Sequence, residues 1–198
     1  MGRKRSANHS AQAWVELHSD DPEAVSALGV ARTHLAAGRA LRTLRRMRLF
    51  ELSGALPERD EIAERLHRSI QFYNPHKERC TVRTAASDPV PIQPGERIVL
   101  VFDRDGARRS AAERWWRQET GTPVDVREGV VWALCFEGSA PASTAVEDLA
   151  LVRGRRHGLF CNPHSQEVRL ATEIIPLPWI AEPETQVSAT RSGRKRGG

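Results

Sequence analysis

Two kinds of apolar pattern alternate along the chain. The run RIVLVF at 97–102 is short and continuous, the mark of a strand buried on both faces, and VVWALCF at 130–136 repeats it. PVDVREG, just before the second run, reads as a separate strand. Elsewhere the spacing is helical. Ile62, Leu66 and Ser69 share one side of ERDEIAERLHRS, which follows Pro57 and carries its acids at the end where the helix dipole favours them. SAAERWWRQETG closes on Gly121, and STAVEDLALVRG opens on Ser143 or Thr144 as a cap and closes on Gly154.

The pattern predicts helix from Pro22 to about Leu52, with Ser19 or Asp20 as cap and a bend near Gly38. In its second half Leu41, Leu44 and Leu52 fall on one side, near Met47 and Phe50. Arg39, Arg42, Arg45, Arg46 and Arg48 take up most of the remaining surface. SIQFYNPHKERCTVRT and GLFCNPHSQEVRLATEII each read as extended, turn, extended, and PLPWIAEP tucks Trp179 and Ile180 onto the body. The expected fold is α+β: an N-terminal helical part at 20–69, then a mixed or antiparallel sheet at 70–180. Together, 13–180 form one domain. Residues 1–12 and 181–198, poor in large apolar groups, read as disordered basic tails.

Composition changes this picture in one respect. The 198 residues carry a net charge of +5. Arg3, Lys4 and Arg5 near one end and Arg191, Arg194, Lys195 and Arg196 near the other account for more than all of it. The body between them is slightly acidic, so the basic character lies in the arms and in the arginines of 39–48. The cysteines, Cys80, Cys135 and Cys161, are odd in number and form no CxxC pair. That argues against a disulfide framework and for a reducing, cytoplasmic compartment. No apolar run is long enough to span a membrane.

An internal similarity stands out. FYNPHKERCTVR from Phe72 and FCNPHSQEVRL from Phe160 share Phe, Asn, Pro and His at a constant offset of 88 residues, each after a helix rich in Leu and Glu. Two similar strand–turn–strand units are expected, related by a pseudo-two-fold. Asn74, His76, Asn162 and His164 are then candidate binding residues. His76 and His164 with Cys80 and Cys161 are also a candidate transition-metal set, although the two cysteines do not occupy matching positions.

The strand end IVLVFDRDG carries the other chemical lead. Asp103 and Asp105 could hold Mg²⁺ for a phosphate-ester reaction. The stretch resembles the DxDG strand end of haloacid-dehalogenase-type phosphatases, and it is similar to the DxD strand of Toprim domains. Either resemblance implies Asp103 and Asp105 as metal carboxylates. Ala107 stands where the phosphatases have threonine or valine, and the only later lysine is Lys195. CFEG, the nearest match to the Toprim glutamate strand, lies downstream rather than upstream.

Trp115 and Trp116 are adjacent on a helix, so one faces inward and the other, taken as Trp116, is free for base stacking or a partner. No complete catalytic constellation emerges. The sequence therefore points to a non-catalytic binding or assembly protein that needs no cofactor. Its basic arms and Arg-rich helix would contact an acidic partner, nucleic acid or protein. The alternatives are a Mg²⁺-dependent phosphate-ester enzyme at Asp103 and Asp105, or a small metalloprotein built on the two NPH turns.

Overall fold

A computed structural model describes residues 9–138, 143–154 and 156–181. The basic residues at 3–5 and 191–196 lie outside the described residues. The elements run β1 (His9–Leu17), α1 (Pro22–His34), β2 (Leu41–Gly54), α2 (Arg59–His67) and β3 (Glu78–Arg83), then β4 (Arg97–Asp103), α3 (Ser110–Thr120), β5 (Val124–Phe136), α4 (Ser143–Ala150) and β6 (Gln166–Ala171). The fold is α+β. Its six strands form one sheet in the order β3-β1-β2-β5-β4-β6, and every neighbouring pair is antiparallel. The order reads the same from either edge once β1, β2 and β3 are exchanged for β4, β5 and β6.

The N-terminal part is not a helical segment. The chain enters as β1, so residues 9–12 belong to a strand rather than a tail, and 41–54 is the long central strand β2. The reason lies in the side chains of β2. Leu44, Arg46, Arg48, Phe50 and Leu52 alternate with Arg45, Met47, Leu49 and Glu51, and both sets are wholly or partly buried. Arginine at inward positions hides the period of two. Leu44 and Leu52, eight apart, fit a strand and a helix equally well. The arginines of 45–48 therefore sit on both faces of a sheet, not along an exposed helical stripe.

The remaining helices form where their residues dictate. Asp21, not Ser19 or Asp20, caps α1, accepting from Glu23 N at 2.8 Å, with Pro22 in the first turn. Gly121 ends α3 at φ 72°, a conformation that favours glycine. The stretch read as two strands at 123–138 is the single strand β5, passing through Gly129. A Cβ there would come within 2.7 Å of Leu100 Cδ1, so this glycine serves close packing rather than a turn.

All four helices cover one face of the sheet, in two groups. Ile62 and Leu66 of α2 join Ala112 and Trp116 of α3 over Ala13, Phe50 and Val126. Ala24 and Ala31 of α1 join Val146 and Leu149 of α4 over Leu44, Val99 and Trp132. Burying these side chains supplies the main stabilisation of the body. The opposite face, with Trp14, Met47, Leu49, Ile98, Leu100 and Val131, is covered by chain that is neither helix nor strand. Val90 and Ile92 come from the connection after β3, and Ile175, Trp179 and Ile180 from the segment after β6.

That last segment is held by a buried polar network. The Glu51 carboxylate accepts from the backbone N–H groups of Trp179, Ile180 and Ala181 and from Gln12 Nε2. Arg83, 2% exposed, donates to Ile175 O at 2.9 Å, Ala86 O at 2.7 Å and Gln12 Oε1 at 3.1 Å. Charged groups are buried this completely only when their hydrogen-bonding capacity is met, as it is here.

Candidate functional site

The two NPH turns are built alike, atom for atom. Asn74 Oδ1 accepts from His76 N at 3.0 Å, and Asn162 Oδ1 accepts from His164 N at 3.1 Å. Asn74 N donates to Glu78 Oε2 (2.7 Å) and Asn162 N to Gln166 Oε1 (2.9 Å). The proline carbonyl is held from the neighbouring strand end in both. His18 Nε2 donates to Pro75 O at 3.3 Å, and Arg104 donates to Pro163 O at 3.2 Å. Each Asn thus shapes its turn through its own side chain, while His76 and His164 are exposed.

The turns do not meet. One precedes β3 and the other β6, and these strands are the two edges of the six-stranded sheet. Five strand spacings of about 4.8 Å put the edges roughly 24 Å apart. His76 and His164 therefore cannot share an ion. Among the described residues no group of three His, Cys, Asp or Glu side chains is placed to hold a metal. Burial pushes the Cys80 thiol up to about 12 and also raises that of Cys161, so both are protonated thiols at neutral pH.

Asp103 and Asp105 serve a turn. Asp103 O accepts from Ala107 N at 3.1 Å and its Oδ1 accepts from Gln166 Nε2 at 3.1 Å. Both carboxylates are exposed. Neither gathers the further carboxylates that a Mg²⁺ site in a phosphatase or Toprim fold would use.

Three of the four arginines of β2 are consumed within the fold. Arg45 pairs with Glu96 at 2.8 Å and Glu16 at 3.2 Å, and the Glu96 hydrogen bond raises its pKa further. Arg46 pairs with Asp21 at 3.3 Å and Glu23 at 2.9 Å and lies over the Trp132 ring. Arg48 pairs with Glu78 at 2.8 Å and Glu128 at 3.7 Å and lies over Phe50. Arg39 and Arg42 are exposed and form no ion pair among the described residues. Trp116 is the inward member of its pair and fully buried. Its neighbour Trp115 covers Phe72 edge-on, with ring centroids 5.9 Å apart.

One cavity of about 230 Å³ opens on the helix-covered face near the middle of the sheet. Val101, Val130 and Trp132 line it from the strands, and Phe160, stacked on Trp132 with centroids 4.5 Å apart, lines it from the side. The charged groups around it are Glu23, Arg46, Asp103, Arg109 and Glu128. Arg46 is matched by Glu23, and Arg109 by Glu128 at 2.8 Å. Asp103 alone has no ion-pair partner among the described residues. Sequence reasoning singled out Asp103 for another purpose and missed Trp132 and Phe160. Only the internal match of Phe160 to Phe72 could have drawn attention to that wall.

No family model matches the chain, and neither a curated protein nor a solved structure matches it. Among the described residues no helix is long and apolar enough to cross a membrane.

Proposed function

We propose that this chain is a non-catalytic binding or assembly protein. It has a duplicated βαβαβ body and contacts an acidic partner through cations the body does not neutralise. The observation that carries this reading is charge segregation. Arg45, Arg46 and Arg48 each have carboxylates within the fold. Arg39 and Arg42 have none among the described residues, and the two arms add seven basic residues. The contact surface is thus narrower than an arginine-rich helix would have given.

Duplication is supported by three independent agreements. The offset of 88 residues that relates the NPH blocks also relates the first residues of α1 and α3, and the sheet register relates β1 to β4 at an offset of 86. The sheet order has two-fold form. The turn hydrogen bonds repeat, including the clamp from His18 and Arg104.

The test compares the full chain with one lacking residues 1–8 and 189–198, a trim that leaves β1 intact. Binding to a single-stranded RNA, a duplex DNA and polyglutamate is followed by fluorescence anisotropy across a salt series. Counterion release predicts a log K against log salt slope that shrinks by roughly 0.7–0.9 for each phosphate that the trimmed chain no longer neutralises. A slope that truncation leaves unchanged would refute the role of the arms. Preference for polyglutamate would make the partner a protein.

A further inference from the structure

The cavity over Val130 has a counterpart in the other half of the sheet, and the counterpart is full. The NPH turns match Glu78 with Gln166. Two residues on, Cys80 and Val168 occupy equivalent places. Cys80 pairs across the sheet with Val15, and Val15 with Arg48. Val168 pairs with Val101, and Val101 with Val130. Arg48 and Val130 therefore stand at the same place in the two halves, side by side in the central pair. By the same register Phe50 matches Trp132, and each carries its Phe: Phe72 on Phe50 and Phe160 on Trp132.

In the first half the space above this aromatic floor holds the Arg48 guanidinium, over Phe50 at 5.3 Å and bonded to Glu78 at 2.8 Å. In the second half Arg46, paired with Glu23, lies over the Trp132 ring, and Val130 stops short and leaves beside them the cavity of about 230 Å³. Gln166 keeps the backbone hydrogen bond that Glu78 makes, accepting from Asn162 N, but points its amide at Asp103. Of the carboxylates that line the cavity, Asp103 is the one without an ion-pair partner among the described residues.

We propose that this cavity is a binding site for a guanidinium or similar planar cation on a short aliphatic stem, held by Asp103 in the space that Val130 and Phe160 line. The head group takes the place that Arg48 occupies in the other half. Such a cation gains a charge-assisted hydrogen bond from the carboxylate, the counterpart of the one Arg48 makes to Glu78. An anion would meet Asp103, Glu23 and Glu128 with both nearby arginines already engaged. The inference rests on the sheet register and stands apart from the role of the arms.

Agmatine, L-arginine and inorganic phosphate are titrated into the full chain by calorimetry. Agmatine is expected to bind saturably and phosphate not at all. Asp103→Asn should weaken agmatine at least about tenfold, the worth of one charge-assisted hydrogen bond. The double variant V130R/Q166E recreates the Arg48–Glu78 pair in the second half and should abolish binding while keeping a folded circular dichroism spectrum. Removal of residues 189–198 names the source of the cation. Tighter agmatine binding after removal means that the chain's own tail arginines compete for the site, and unchanged binding means a free ligand. Absence of agmatine binding, binding that neither variant alters, or a preference for phosphate would each overturn the proposal.

Discussion

Glu51 and Trp179 are 128 residues apart, yet the Glu51 carboxylate accepts the backbone N–H of Trp179 in the buried interior. Ile180 and Ala181 donate to the same carboxylate. One side chain of the central strand thus holds the segment that covers the back of the sheet. Glu51→Ala strands these amides without a partner and should cost about 3 kcal/mol in urea unfolding. Amide exchange at 179–181 should accelerate well before global unfolding. Unaltered exchange there would mean that the apolar packing of Trp179 and Ile180 suffices.

The matched turns make a paired prediction. Asn74→Ala and Asn162→Ala each remove one side-chain bond to the backbone of an exposed turn. Each should cost on the order of 1 kcal/mol, and the two losses should add, since the turns lie on opposite edges. Chemical denaturation of the single and double variants reads this directly. A double loss far from the sum would contradict the separation of the turns.

Arg48 and Glu78 should be coupled. Both are largely shielded, at 26% and 16% side-chain exposure, and the guanidinium also packs on Phe50. Arg48→Val alone leaves Glu78 without its cation. The double change R48V/E78Q copies the Val130–Gln166 arrangement of the other half. A double-mutant cycle should return a coupling of about 1 kcal/mol or more. A value near zero would show that the pair is solvated in spite of its burial.

Acid should reveal Glu113. Burial opposes its ionisation, but the Arg108 hydrogen bond and the Val126 backbone N–H together hold its carboxyl below the ordinary value of 4.5. A carboxyl that ionises more readily in the folded state stabilises the protein above the unfolded-state pKa. That contribution fades as pH falls through the lower folded value. Glu113→Gln should therefore cost stability at pH 7 and flatten the loss of stability below about pH 5. Urea midpoints taken from pH 7 to pH 3 on both proteins provide the comparison.

Cys80 should resist alkylation. With its thiol pushed up to about 12 by burial, only about one molecule in ten thousand carries the thiolate at pH 8. Iodoacetamide labelling read by mass spectrometry should leave Cys80 unmodified in the native protein and modify it fully in guanidinium chloride. Rapid native labelling would require local opening of the β3 edge.

The parts of the fold that showed in the sequence are those where one rule acted alone. RIVLVF had no competing reading, and α2 and α3 carried clean apolar faces and clear ends. β2 was hidden because its inward positions include Arg46 and Arg48, whose partners lie far away in sequence at Asp21, Glu78 and Glu128. Charge satisfied by tertiary pairing leaves no local trace. The NPH match located both turns, but no strand leads into either, only β3 or β6 out of it, and spacing along the chain could not show that strand order sends them to opposite edges. Asp103 was visible as a carboxylate at a strand end. What surrounds it depends on Val130 and Phe160, brought there only by the register.

Each helix group on the sheet draws one member from each half of the chain: α2 with α3, and α1 with α4. Neither half can therefore close its own interior. Severing the connection between Arg83 and Arg97 would yield two fragments, each with a bare half-sheet and two helices lacking their counterparts. Apart they should be soft and prone to aggregate; mixed, they should reconstitute one another. Linked in one chain, the two halves meet at an effective concentration that no dilution reduces.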